Sequence, residues 1–366
     1  MRIGVDAHFV GVRHGGNELY FENILRHLST IARPDDEYYV FSYRLAGRQR
    51  LPGDRLTHLP LAARSVYWQR AVEIPYYCRR LDLDVLHVPF NFLPAFRARK
   101  VVTIHDVAFL ELPRAYAPVE RARMTWLTRF AAQHADHVLT LSEFSRRSIA
   151  DRYGVDEGRI TVTPCAADRS VFRPLDTEGR AEARRRTRFA FEFLLYVGAI
   201  QARKNLLTLL RAFEMMRARR RDDLHLVLVG RRGWEAEEVL RFVAQKGLGA
   251  VVHHLESVDT ETLVGLYNTA AAFVFPSLFE GFGMPVLEAM SCGCPVVCSN
   301  AAALPEVYGD AALPFDPNAP EELAAQLERV LDDGTLRSDL VRRGFANAGR
   351  FSWERTASIV DRVYRA

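Results

Sequence analysis

Glu280 and Glu288 stand eight positions apart in "LFEGFGMPVLEAMSCG", Leu278 to Gly293, with Gly281, Gly283 and Pro285 between them. Two carboxylates in one motif suggest an acid and a base, but the punctuation around them argues otherwise. Pro285 suits the first turn of a helix and Gly293 its end, which puts Glu280 on the preceding loop and Glu288 inside the helix. Even on one helix, eight positions leave two side chains about 80° apart. Two hydroxyl-rich groups held at separate points, a hexose and a ribose, fit this spacing better. At the helix start the amides of Phe282, Gly283 and Met284 then face an anion or sugar oxygens.

Three other stretches carry related chemistry. In "YVGAIQARKNLLTLL", Gly198 ends an apolar run, and Arg203 and Lys204 lie just before a helix. Two cations beside a helix N-terminus suit a diphosphate, arginine through its fork and lysine as a point charge. The plain alternative is a pair of solvated loop cations. In "VTIHDVAF", His105 and Asp106 follow an apolar strand directly. That placement lets His105 donate a hydrogen bond to a sugar hydroxyl. The alternative is a histidine held in a turn, with Asp106 capping the next segment. In "HGGNELY", Gly15 and Gly16 open a helix and let the backbone approach an anion, or simply make a turn. No G-x-G-x-x-G occurs, which argues against a nicotinamide or flavin enzyme.

The elements that must position these residues alternate between strand and helix. "RIGVDAHFV", "YYVFS", "DVLHVP", "KVVTIHD", "HVLTLS" and "ITVTP" read as buried strands, mostly separated by helices. The first helix, "GGNELYFENILRHLSTI", turns Leu19, Phe21, Ile24, Leu25 and Leu28 toward the core. Between Ala166 and Arg188 the periodicity fails and the chain reads as a linker. A second alternation follows: "FEFLLYVGA", "DLHLVLVG", "AVVHHL", "AAFVFPS", "CPVVCSN" and "ALPFD". Such patterning predicts parallel, doubly wound sheets, and 366 residues suit two domains. We place them at 1–168 and 169–350, with 351–366 as a helix capped by Ser352 that packs back on the first. In open α/β sheets ligands sit beyond the carboxyl ends of the strands, so a cleft between the domains is the expected site.

Composition, 49% hydrophobic and 26% charged, is that of a soluble globular chain with a mildly basic net charge of +4. No apolar run is long enough to span a bilayer, and no signal peptide is read, so the expected location is cytoplasmic. Five cysteines, three of them in "CGCPVVC", read as small apolar residues rather than a disulfide framework or a metal site. The run Arg184–Arg188 lacks interleaved aromatics and reads as a solvated face, with no nucleic acid implied. "RSVYWQRAVEIPYYCRRL", Arg64 to Leu81, mixes Tyr67, Trp68, Tyr76 and Tyr77 with Arg70, Arg79 and Arg80. It reads as a helix that touches anionic lipid or a polyprenyl-linked acceptor, which makes the chain peripheral on the inner membrane face. The alternative, favoured by the helical spacing of the aromatics, is a helix packed on the sheet.

"EGFGMPVLEAMSCGCPVV" resembles the E-x7-E motif of retaining GT-B glycosyltransferases of family 4. "VGAIQARKN", "TIHDVAF", the early "GG", "VFPSLFEGFG", "ALPEVYGDAAL" and "FSWERTA" resemble the same family in the same order, over nearly the whole chain. The resemblance implies an α/β GT-B fold of two Rossmann-like domains facing each other across a cleft, with the last helix crossing back. The first domain binds the acceptor and the second a nucleotide-diphosphate sugar. It implies that Glu280 contacts the donor hexose, Glu288 the ribose, and Arg203 and Lys204 the leaving diphosphate. Gly15 and Gly16 assist from the first domain, and His105 lies near the reacting carbon. His105, Lys204 and Glu280 are then the catalytic set. No cofactor or divalent metal is implied, because the cations and helix ends do a metal's work. Ala199 stands where relatives often carry a basic residue, "PCAAD" replaces a more usual Pro-Asn-Gly-Val-Asp, and Cys294 replaces a common threonine. The motif variants are most similar to mannosyltransferases of surface polysaccharide, so GDP-mannose is the expected donor, with UDP-glucose or another hexose donor as alternatives. The expected reaction builds an α-linkage to a glycan or lipid-linked acceptor, with the leaving phosphate as base. A non-catalytic sugar-nucleotide-binding subunit, and an epimerase or phosphorylase on a related scaffold, are the other classes.

Overall fold

The computed structural model describes residues 1–11, 15–42, 51, 55–62, 65, 68–90, 97–219, 223–233 and 236–366. The chain divides into two compact units, Met1–Cys165 with Ser352–Ala366, and Ala166–Phe351. In the first unit, elements run β1 (Arg2–Asp6), α1 (Gly16–Ile31), β2 (Glu37–Ser42), β3 (Leu56–Pro60), α2 (Ile74–Arg80), β4 (Val85–Pro89) and β5 (Arg99–Thr103). They continue with α3 (Ala108–Glu111), α4 (Pro118–His134), β6 (His137–Thr140), α5 (Glu143–Tyr153) and β7 (Ile160–Val162). The second unit has α6 (Thr177–Thr187), β8 (Glu192–Val197), α7 (Leu206–Arg219), β9 (Leu224–Val229), α8 (Ala236–Gln245), β10 (Val252–Leu255) and α9 (Thr260–Thr269). It ends with β11 (Ala272–Phe275), α10 (Met284–Ser291), β12 (Val296–Ser299), α11 (Leu304–Tyr308), β13 (Leu313–Phe315), α12 (Pro320–Asp332) and α13 (Gly334–Ala348). The last helix, α14 (Trp353–Arg365), belongs to the first unit.

Each unit is built on one sheet whose paired strands all run parallel. The orders are β3-β2-β1-β4-β5-β6-β7 and β10-β9-β8-β11-β12-β13. Central strands β4, β9, β11 and β12 are buried at every residue. That is why they read as unbroken apolar runs, since helices must cover both faces of a parallel sheet. In the first sheet the chain leaves β1 for β2 and β3, then returns to β4 on the other side. The second sheet repeats this turn between β8 and β11. These reversals are where an open α/β sheet leaves a crevice for a ligand.

The last helix is fastened inside the first unit by buried polar bonds. His87 Nδ1 lies 2.6 Å from Tyr364 Oη, and His87 Nε2 lies 2.6 Å from Thr103 Oγ1. Thr356 Oγ1 donates to Pro164 O at 2.6 Å, and Arg365 pairs with Asp36. Ser352 caps this helix by accepting from Arg355 N at 3.1 Å.

Three details depart from the sequence reading. Leu19 is 37% exposed, and Tyr20 takes its place in the core beside Phe21, Ile24, Leu25 and Leu28. The stretch read as a linker holds α6, whose N-cap Asp176 accepts from Gly179 N at 2.8 Å. Ala183 is the only buried residue of α6 and packs against Gly265, so the helix has no apolar stripe to reveal it. Strand β3, "LTHLP", was not anticipated; its burial is only partial and its pattern short.

Candidate functional site

At the reversal in the second sheet, two loops are sewn together. The first leaves β8 at Gly198, whose φ of 155° and closeness to Tyr196 leave no room for a side chain: a Cβ would meet Tyr196 Oη at 2.6 Å. It then forms a 3-10 turn, Ala202–Lys204, and enters α7 through Asn205, which adopts the left-handed conformation with φ 57°. Asn205 Nδ2 donates to Pro276 O at 3.1 Å and Pro317 O at 2.7 Å. The second loop follows β11. Its Leu278 N donates to Arg203 O at 2.8 Å, and Arg203 Nη1 donates to Phe279 O at 3.2 Å.

Glu280, 7% exposed, lies within this seam. Its Oε1 is 2.5 Å from Lys204 Nζ and its Oε2 is 3.0 Å from Arg203 Nη1. Lys204 Nζ also sits 5.0 Å from the centre of the Phe275 ring. Burial alone would raise the Glu280 pKa. The charges of Arg203 and Lys204, with the Lys204 hydrogen bond, overcome it and pull it down to about 2. Buried Lys204 and Glu280 and partly buried Arg203 thus set two cationic side chains against one carboxylate.

Glu288 has the opposite surroundings. It lies on α10, 9% exposed, and accepts a hydrogen bond from Tyr267 Oη at 2.9 Å. Burial pushes its pKa up to about 7, although the Tyr267 bond works the other way. Helix α10 starts at Met284, with Pro285 in its first turn. Gly281 and Phe282 are buried, and Phe282 meets Phe351 edge-on at 5.6 Å. Gly283 caps the helix at φ 108°, where a Cβ would come within 2.7 Å of Leu304 Cδ2, so only glycine suits the position.

The first unit places its sequence-selected residues near its own reversal. Gly15, at φ 70°, precedes α1, which Gly16 begins, and Glu18 Oε1 accepts from Gly11 N at 2.9 Å. His105 follows β5, 8% exposed, its ring edge-on to Tyr20 at 5.0 Å and tilted against Phe90 at 5.6 Å. Burial lowers its pKa to about 3, so the ring is neutral at physiological pH. Asp106 Oδ1 accepts from Ala108 N at 2.9 Å, the local capping role weighed as the alternative. In the Arg64–Leu81 stretch, Tyr67 lies outside the described residues. A π-helical turn, Gln69–Glu73, runs into α2. Trp68 is 58% exposed and Tyr76 51%, with Val72 also exposed, so these three do not face the core; Gln69, Ile74, Pro75 and Cys78 do, and Tyr77 stacks on Phe41 at 5.6 Å. Arg79 and Arg80 are exposed beside them, Arg80 Nη1 donating to Tyr76 Oη at 2.7 Å.

Sequence reasoning passed over several residues that the fold brings to the strand ends. Asp6, the last residue of β1, is 1% exposed; its Oδ1 is 2.8 Å from His8 Nδ1 and its Oδ2 is 3.7 Å from Arg70 Nε. Burial would raise its pKa, but the His8 and Arg70 charges hold it below the usual carboxylate range. An acidic residue closing an apolar strand was the available signal. Tyr267 and Asn205 were also missed. All five cysteines are buried and free. Among the described residues no group of three His, Cys, Asp or Glu could hold a metal ion, and no helix is long and apolar enough to cross a membrane.

Comparison with known proteins gives two family matches. The model of glycosyl transferases group 1 matches residues 180–346, and that of glycosyltransferase family 4 matches residues 14–171. An O-antigen chain mannosyltransferase B of Escherichia coli is 36% identical over 283 residues, which are 77% of this chain and 74% of that protein. A D-inositol 3-phosphate glycosyltransferase of Acidothermus cellulolyticus is 33% identical over 242 residues, 63% of this chain but only 53% of its own length. Among solved structures, Anabaena Alr3699/HepE in complex with UDP-glucose superposes with a TM-score of 0.79 at 16% identity, over 99% of each chain, a likeness of fold.

Proposed function

The chain belongs to the GT-B glycosyltransferases, and on that premise we propose that it moves a hexose, with retention of anomeric configuration, from a nucleotide-diphosphate sugar to a hydroxyl of a glycan or lipid-linked acceptor. Mannose from GDP-mannose is the donor of choice, supported by the likeness to an O-antigen chain mannosyltransferase. The carrying observation is the Arg203–Lys204–Glu280 trio at the strand reversal of the second unit. The two cations there stabilise charge as it develops on the departing diphosphate, without reorganisation at the moment of reaction. Glu280 takes hexose hydroxyls and Glu288 the ribose. His105, kept neutral by burial, offers the hexose a hydrogen bond without adding charge. No metal is required in this reading, and the leaving phosphate accepts the proton of the attacking hydroxyl. The acceptor belongs to the first unit, where Asp6 and His8 give it polar contacts.

A melting-temperature screen over GDP, UDP, ADP and dTDP tests the donor side, because a ligand that binds the native state raises the midpoint by mass action. GDP should give the largest shift. No shift with any of them would remove the reading altogether. Donor turnover in chelator tests metal independence, and the anomeric NMR signal of the product tests retention. A UDP-sugar donor is the second reading, favoured by the likeness to a protein solved with UDP-glucose. Exposed Trp68, Val72 and Tyr76 with Arg79 and Arg80 support contact with an anionic membrane or a polyprenyl-linked acceptor on the cytoplasmic face. Flotation with anionic liposomes, lost on reversing both arginines, is the expected result; wild-type protein that never floats refutes the contact.

A further inference from the structure

Lys204 and Arg203 each give a hydrogen-bonding nitrogen to a different oxygen of Glu280, at 2.5 and 3.0 Å. A diphosphate reaching these cations meets a carboxylate already bonded to both. The loop that carries the cations is pinned, because Leu278 N, Phe279 O, Pro276 O and Pro317 O hold it through Arg203 and Asn205. Adjustment therefore falls on the Glu280 side chain, whose carboxylate stays ionised across the working pH range because its pKa is pulled to about 2. Once turned away from the cations, a carboxylate this buried needs new donors, since an unsatisfied charged group costs more than the bond it lost. The hydroxyls of a donor hexose supply them. A free nucleoside diphosphate lacks the hexose, and its ribose hydroxyls belong with Glu288 in the reading above.

We infer that Glu280 is a built-in competitor for the diphosphate, which makes the site prefer the intact nucleotide-sugar to the free nucleoside diphosphate and speeds release of that product after transfer. This rests on the donor-site reading above. While the hexose is present, Glu280 trades Lys204 and Arg203 for sugar hydroxyls, and the cations pass to the diphosphate. When the hexose leaves with the acceptor, the carboxylate loses those hydroxyls and reclaims the cations. The displaced diphosphate then dissociates. No covalent step is involved; one anion replaces another on two fixed cations.

Calorimetric titration of wild type and Glu280→Gln with inorganic pyrophosphate, GDP and the matching GDP-sugar tests this, with the UDP pair in parallel. Glutamine keeps the shape and removes the competing charge. The variant should bind pyrophosphate and the preferred nucleoside diphosphate about tenfold more tightly, 1.4 kcal/mol. Its preference for the sugar-bearing ligand should fall. Adding Lys204→Met, which restores the wild-type charge count, should return pyrophosphate binding to wild-type strength or below. Equal or weaker diphosphate binding by Glu280→Gln overturns the inference while leaving the donor site standing. A wild type that binds neither nucleoside diphosphate nor donor overturns the donor site itself. Should Glu280→Gln fail to fold, wild type alone decides. Product inhibition must then be weak, with the diphosphate binding less tightly than the donor; a diphosphate that binds more tightly refutes the competitor.

Discussion

Replacing Glu288 by glutamine should stabilise this protein at alkaline pH and do little in mild acid. The Glu288 pKa rises from the ordinary 4.5 to about 7 in the fold because burial disfavours the charged form. Between those two values the folded chain binds more protons at this site than the unfolded chain, so stability falls as pH climbs through the window. Fully developed, two and a half units correspond to about 3 kcal/mol, of which about 2 kcal/mol appears between roughly pH 5.5 and 8.5. Glutamine keeps the hydrogen bond from Tyr267 Oη through its carbonyl and carries no charge. The variant should thus melt higher than wild type by an amount that grows with pH. For a unit of this size, about 2 kcal/mol is a change of about 4–8 °C in the difference of midpoints. Scanning calorimetry of both proteins at half-unit pH steps measures it. The same variant should bind donor more weakly, a charged buried group having been kept for function at a cost in stability. A midpoint difference flat from pH 5.5 to 8.5 refutes the reasoning.

Other substitutions probe the remaining structure. Lys204→Met leaves Glu280 with Arg203 alone, so transfer should fall on the order of a hundredfold in steady-state assays. Asn205→Ala loses two hydrogen bonds to carbonyls and puts alanine, which tolerates the left-handed region less well than asparagine, at φ 57°; it should lower stability by about 2–3 kcal/mol and raise the donor KM, with Asn205→Gly less harmful to stability. Tyr364→Phe removes the partner of buried His87 Nδ1 and should cost about 1–3 kcal/mol of thermal stability while leaving donor binding untouched.

Much of the scaffold was legible because burial writes itself into a parallel strand. The runs at β8, β9, β11 and β12 are apolar at nearly every position, and glycine or proline marks where several end. Elements whose burial is slight escaped. Helix α6 buries only Ala183, which packs on Gly265, and its remaining ties, such as Arg186 to Asp259 and Glu261, are exposed ion pairs that look the same in a helix as in a linker. The aromatics from Trp68 to Tyr76 misled in the opposite sense. Helical spacing fixes which residues share a face, but only the neighbouring sheet decides whether that face is covered.

The site shows the same division at the level of single groups. Position in the motif places Glu280 on the loop after β11 and Glu288 within the helix that follows. Their electrostatics come from elsewhere in the chain. Glu280 is held ionised by Arg203 and Lys204, which arrive from a loop after a different strand through bonds made by Asn205 and Leu278. Glu288 accepts from the Tyr267 hydroxyl, and burial makes it far easier to protonate. Two identical side chains eight positions apart thus behave as a permanent anion and as a group titrating near neutrality. If both contact the donor, sugar-nucleotide affinity must weaken as pH falls through about 7 and Glu288 takes up a proton, while the cation pairing of Glu280 stays constant. An affinity profile with a single titration near pH 7, abolished by Glu288→Gln and unmoved by Tyr364→Phe, is the signature this arrangement requires; a profile unchanged by Glu288→Gln would place Glu288 outside the donor site.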